Sequence, residues 1–159
     1  MSLKQYLLET FSFNDRANLV MMEKIQQLPD PSKCIKHLSH LINSQNKWMA
    51  RIEQDPAAPG MSWWEPLYTA EVLPAEWKKS LERWTNYIEQ KTETELFEEK
   101  EFIGRDNSLW SAQVADIALQ LNYHSIHHRA QIQLFIREQG AEPDFIDYIG
   151  TKYKKLTEA

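Results

Sequence analysis

The chain has 159 residues, 42% of them hydrophobic and 26% charged, with only four glycines and a net charge of −5. That length suits one domain that buries its own core, which excludes a disordered chain. The acidic balance (pI near 5.6) and the scatter of basic residues exclude the electrostatic footprint of a DNA- or RNA-binding protein.

Four stretches carry helical periodicity. In the first, residues 3–27, Tyr6, Leu7, Phe11, Leu19, Met22 and Ile25 recur at helical spacing, and Asn14 and Asp15 interrupt the pattern without breaking it. Asp30-Pro31-Ser32 punctuates, with the proline suited to a first helical turn. The second helix is predicted over 31–54, with Cys34, Ile35, Leu38, Leu41, Ile42, Trp48, Met49 and Ile52 as its apolar set. Asp55-Pro56 and Pro59-Gly60 end it, and an aromatic loop containing Trp63 and Trp64 follows. The third helix is predicted over 74–91 on the stripe Trp77, Leu81, Trp84, Tyr87 and Ile88. Residues 95–103 alternate weakly and read as a short hairpin or an extended linker. The fourth helix, predicted over 109–139 with Ser111 as cap, stops at Gly140, and Pro143 lies beyond. The segment 145–153 reads as a short helix or a lid. Four amphipathic helices without alternating strands imply an all-α, antiparallel four-helix bundle in a single domain over 1–159.

The lone Cys34 cannot form an internal disulfide, which predicts a reducing compartment, and it reads as buried and inert. The opening residues lack a signal-peptide pattern and no stretch is apolar over a membrane-spanning length. The expectation is a cytoplasmic protein with no membrane and no nucleic-acid partner.

All five histidines, His37, His40, His124, His127 and His128, fall on two predicted helices. Val114, Ile117, Leu121, His124, His128, Gln131 and Phe135 follow alternating three- and four-residue steps, the inward seam of a packed helix. His124 and His128 therefore stand where core residues belong, and a metal ion would partner them. His127 sits beside the seam and reads as a bystander. A third ligand must come from the second helix. On a wheel of about 100° per residue the aliphatic face lies nearer His37, whereas His40 shares a sector with Ser44 and Arg51 and is flanked by Trp48. Periodicity alone selects His37, although singly it reads as a partly exposed side chain. Arg51 and Arg129 are candidates for holding an anionic substrate group but read as surface residues. Gln131 and Asp147 are candidates to support the ligands from behind, and no general base is identifiable. Trp63 and Trp64 read as loop residues packed on the core. The zinc-protease glutamate, the phosphate-binding loop and the dinucleotide fingerprint are absent from the sequence.

The stretch Asn122-Tyr-His124-Ser-Ile-His127-His128-Arg129-Ala-Gln131-Ile132 resembles the fourth-helix signature of the DinB/YfiT-like family, roughly Asn-His-x-x-x-His-Arg-Gly-Gln-Ile. Arg137-Glu-Gln-Gly140 and Asp147-Tyr-Ile149 resemble the family's tail. His40 to Arg51, with a histidine eight residues before Trp48, resembles its second-helix block. The chain departs at Ala130, where glycine is usual, and at Tyr123, where asparagine often precedes the histidine. The resemblance implies a four-helix bundle, often a homodimer. It also implies a nickel, zinc or similar divalent ion on His40, His124 and His128, so it selects His40 over His37. Characterised relatives include thiol-dependent S-transferases and a thiol-dependent isomerase. That implies a small-molecule substrate, first a low-molecular-weight thiol, with metal-assisted hydrolysis second. The alternative is a non-catalytic, stress-linked, dimeric metal-binding module.

Overall fold

A computed structural model describes residues 1–156, so the last three positions of the expected 1–159 domain lie outside the described residues. It is mostly helical, with four long helices and one two-stranded sheet: α1 Leu3–Ile25, α2 Ser32–Ile52, α3 Leu73–Gln90, β1 Glu99–Ile103, β2 Leu109–Gln113 and α4 Val114–Glu138. Short 3-10 turns lie at Ala58–Gly60, Glu95–Phe97 and Ile149–Thr151.

Local chemistry sets the helix ends. Ser2 caps α1: its Oγ accepts from the Gln5 backbone N–H at 3.2 Å, and the Gln5 side chain accepts from Ser2 N–H at 3.0 Å. This reciprocal box satisfies two otherwise orphaned donors. Pro31 precedes the first residue of α2, and Pro74 occupies the first turn of α3, where a missing N–H costs nothing. At the end of α4, Gly140 takes a left-handed φ of 77°. Its N–H reaches Arg137 O, and the next N–H returns to Ile136 O, closing the helix.

The expectation of a helix from residue 109 is corrected. Residues Leu109–Gln113 pair antiparallel with Glu99–Ile103, in the register Glu99↔Gln113 to Ile103↔Leu109. Asn107, at φ 61°, turns the chain between the strands. Ser111 is therefore not a helix cap; its hydroxyl donates across the hairpin to the Glu99 carboxylate at 2.6 Å. Gln113 precedes α4 without a side-chain cap bond. The backbone of 109–113 finds its partners in a strand rather than in its own next turn, and sequence periodicity does not report such pairing.

Helix α1 packs on α3 and α4, α2 packs on α3 and α4, and the hairpin lies on α2. The core holds Leu7, Phe11, Met21, Leu38, Ile42, Trp77, Trp84 and Ile132, all essentially inaccessible. The buried indoles are satisfied: Trp84 Nε1 donates to Gln45 O at 2.9 Å and Trp77 Nε1 to Asp15 Oδ1 at 3.0 Å. Cys34 is buried there, and burial pushes its thiol up to about 11, in keeping with an inert residue. None of the described helices is long and apolar enough to cross a membrane.

One feature of the fold positions the site directly. The loop after α2 is strapped back onto that helix by side chains spaced one turn apart. Ser39 Oγ accepts from Tyr68 N–H at 3.0 Å, Asn43 Nδ2 donates to Pro66 O at 3.1 Å, and Lys47 Nζ donates to Met61 O at 2.5 Å. Four-residue spacing puts these three on one helical face. They hold Trp63 and Trp64 over the α2–α4 interface.

Candidate metal centre

Helices α2 and α4 bring His40, His124 and His128 together, with one potential ligand nitrogen from each inside a 4.8 Å cluster. His40 Nε2 lies 3.1 Å from His124 Nε2, which lies 2.9 Å from His128 Nε2. The i, i+4 pair on α4 shares one helical face, and His40 meets it from across the interface.

The other ring nitrogens decide which atoms can act as ligands. His40 Nδ1 lies 2.7 Å from the Trp63 carbonyl oxygen, which only accepts. Nδ1 therefore carries the proton, and Nε2 presents a lone pair to the cluster. His128 Nδ1 lies 2.7 Å from His37 Nδ1, so one of the two donates to the other. When His128 offers Nε2 to an ion, its proton resides on Nδ1 and is donated to His37. A single proton on His124 Nε2 can serve only one neighbour well, leaving the other facing nitrogen without a donor; a divalent ion satisfies all three. The spacing also fits: nitrogens about 2.0–2.1 Å from a shared zinc-class ion lie about 2.9–3.4 Å apart for ligand angles from square to tetrahedral. The His40–His124 and His124–His128 separations, 3.1 and 2.9 Å, fall in that interval.

Electrostatics keeps the cluster neutral. Burial, followed by His124, His40 and His37, lowers His128 to about 3. Burial, then His40 and His127, lowers His124 to about 4. Burial also lowers His40, opposed by the Trp63 carbonyl, and it lowers His37 with help from His40. Neutral imidazoles are the form that coordinates a metal, so the cluster has the protonation state such a site needs.

A pH dependence follows for metal-free protein. Unfolded imidazoles take up protons near pH 6.5, whereas the folded ones resist until about pH 3–4. As the pH falls, the unfolded state binds protons first, so stability is lost below about pH 6.5. Thermal melts of chelator-treated protein are expected to show a midpoint that falls from about pH 7 to about pH 5, with a shallower slope in His128→Gln. Equal slopes in the two proteins would refute this origin.

Around the three histidines the aromatic residues form a wall. Trp64 stacks on His40 at 3.9 Å and 13°, and meets His37 and His128 edge-on. Trp63 and Trp64 are thus part of the site, a correction to their reading as loop packing. A cavity of about 400 Å³ opens beside the cluster, lined by His40, His124, Ser44, Trp48, Trp63 and Trp64 among others. Gln131 is near enough to His128 to favour its protonated form, yet its buried Oε1 completes no hydrogen bond.

Other expectations change. His37, read alone as a partly exposed bystander, is the hydrogen-bond partner of His128; His127 is exposed as expected. Arg51 and Arg129, read as surface residues, are 8% and 5% exposed. Arg51 lies in a box of Trp48, Trp63 and Phe102, its guanidinium 4.6–5.1 Å from their ring centres. Arg129 is committed to Asn14, Asn18 and Ser125. Asp147 is exposed and lines a separate groove with Phe13, Arg16 and Phe145, so the structure does not bring it to the histidines.

No curated protein and no solved structure matches the chain. The family model of the DinB superfamily matches residues 24–132, well over half of the sequence, a span that contains His40, His124 and His128. A helical chain that gathers three histidines from its second and fourth helices, and that carries this match, belongs to the DinB superfamily.

Proposed function

We propose that His40, His124 and His128 hold a divalent ion, nickel or zinc, and that the protein uses it to activate a low-molecular-weight thiol for transfer to an electrophile. The observation that supports this most is the convergence of three neutral imidazole nitrogens beside a 400 Å³ cavity. Three protein ligands leave coordination positions open, the catalytic rather than the structural pattern. A bound ion supplies Lewis-acid chemistry there, lowering the pKa of a thiol or of water. The chain's own residues do the rest. The Trp63 carbonyl and His37 orient two of the imidazoles, and Trp64 shields the His40 ring from solvent. Ser44 and Gln131 leave buried oxygens free for a ligand or water nearby.

The residues lining the cavity include no carboxylate among those described. Hydrolysis normally draws on a positioned base, whereas a thiol deprotonates near neutral pH with less help. That ranks thiol transfer above hydrolysis. The same lack of a base favours the second reading, a non-catalytic, stress-linked metal-binding module. In either reading we infer one domain whose closed ring of helix contacts is a four-helix bundle, acting in the cytoplasm as a homodimer. Exposed Tyr123, Ile126 and Leu134 on α4 supply an apolar face for the second copy.

Turnover of monochlorobimane by metal-loaded protein, across a panel of thiols, tests the catalytic reading. Conjugate formation above a chelator-treated control is expected. No turnover with any thiol, despite a filled site, would leave the non-catalytic module.

A further inference from the structure

The hairpin and α2 place Arg105 and Arg51 on the walls of two adjoining cavities, with Lys47 behind the shared Trp63, and no described carboxylate forms an ion pair with Lys47, Arg51 or Arg105. Arg105 lines the histidine cavity and also an adjoining one of about 340 Å³, which Arg51 lines too. The two cavities share Trp48, Trp63 and Arg105, so they meet along one aromatic wall. Arg105 is exposed at the hairpin turn, whereas Arg51 is over nine-tenths buried. Arg51 makes one hydrogen bond, from Nη2 to Ile103 O at 3.2 Å, and its buried Nε has no partner. Lys47 lies behind Trp63, 4.8 Å from the ring centre, with its ammonium on two backbone carbonyls. Asp106 also lines the second cavity, but its oxygens are occupied by Ser108 and the Trp110 indole. Gly104 lets that indole close on the turn, because a Cβ there would come within 2.6 Å of it.

Cations held close together repel one another, and a buried guanidinium with unused donors is costly. Burial and then Arg105 lower Arg51, and burial, then Arg51, then Arg105 lower Lys47. An anion at the shared mouth relieves both costs at once. A guanidinium fork suits the paired oxygens of a carboxylate, and the flanking indoles accept the apolar stem of such a molecule.

We propose that Arg105, backed by Arg51, forms an anion subsite that receives a carboxylate of the small molecule whose other end reaches the three histidines. Only the role of that other end rests on the proposed thiol chemistry; the subsite stands on the cations and the aromatic wall. The substrate class is thus a carboxylate-bearing thiol rather than a neutral one.

Trp48 and Trp63 line both cavities, so intrinsic tryptophan fluorescence reports occupancy with or without metal. The probes are succinate, inorganic phosphate, mercaptosuccinate and mercaptoethanol, titrated into wild type and Arg105→Gln, with metal content measured in each. Arg105 is exposed, so this variant keeps the fold; Arg51→Lys is the second variant. Succinate is expected to bind metal-free wild type, about tenfold more weakly in Arg105→Gln, in line with loss of a charge-assisted hydrogen bond. Mercaptosuccinate is expected to bind metal-loaded protein about tenfold tighter than mercaptoethanol, a preference lost in Arg105→Gln. Binding of phosphate with equal sensitivity to Arg105→Gln, and of succinate with none, would overturn the carboxylate assignment. Absence of any difference between the two proteins, with metal content intact, would overturn the subsite and leave the metal site standing. A protein that takes up no metal yet binds succinate through Arg105 would retain the subsite while the thiol chemistry falls.

Discussion

His40→Ala, His124→Ala and His128→Ala are each expected to come through dialysis without bound metal, whereas wild type and His127→Ala retain about one divalent ion per chain. Removing one of three ligands leaves two imidazoles, too few for a closed set of protein contacts. His37→Ala is expected to fall between. It deletes the group that accepts from His128 Nδ1 at 2.7 Å, and outer-shell losses of this kind typically weaken metal binding about 10–100-fold. Plasma mass spectrometry of tag-free protein, followed by titration against a chromophoric chelator, separates the three classes. Equal metal in His40→Ala and His127→Ala would place the ion elsewhere. A wild type that fails to take up nickel or zinc would remove the catalytic proposal and leave a helical protein with a buried histidine cluster.

Arg129→Ala is expected to cost about 3–5 kcal/mol of folding stability, the largest single loss outside the apolar core. Arg129 Nη1 reaches Asn14 Oδ1 at 2.7 Å, Asn18 Oδ1 at 3.1 Å and Ser125 Oγ at 3.1 Å. Asn14 and Asn18 then donate onward, to Asn122 Oδ1 at 2.5 Å and Ser125 Oγ at 2.9 Å, and Asn122 donates to Thr10 at 3.0 Å. This polar seam joins α1 to α4 inside the protein. Burial lowers the guanidinium to about 10, so it stays charged at neutral pH without a carboxylate partner. Truncation leaves two asparagine oxygens and a hydroxyl with too few donors, and each such buried group costs about 1–3 kcal/mol. Arg129→Lys keeps the charge but not the planar reach, and an intermediate loss is expected. Urea denaturation of the metal-free proteins measures this directly. A shift under about 1 kcal/mol in Arg129→Ala would show that water replaces the guanidinium, contrary to a dry seam.

Much of the helical plan was legible because its causes are local. Apolar residues at helical spacing marked all four helices. Pro31, Pro74 and Gly140 marked their limits to within a few residues, since their backbone preferences act where they stand. The hairpin was only half visible. Residues 99–103 carried a weak alternation, but the partner strand 109–113 looked like the start of a helix. The register of two strands is set by pairing, not by either strand alone.

The candidate site divides in the same way. His124 and His128 fall four apart on one helix, so their joint orientation could be read before folding was known. Periodicity did not give the third histidine, favouring His37, and only the family resemblance pointed to His40. His37 and His40 lie within one turn of α2, and the crossing of α2 over α4 decides that His40 faces the shared centre while His37 backs His128. The tryptophans of the loop, the burial of Arg51, and the asparagine seam around Arg129 were equally out of reach. Their partners lie far along the chain, as with Asn14 and Asn122, 108 residues apart. By itself the sequence determined the helices, their punctuation and a histidine pair suited to a metal. The tertiary structure alone decided which polar side chains are buried and what they face, because a buried polar group is stabilised only by partners that packing brings to it.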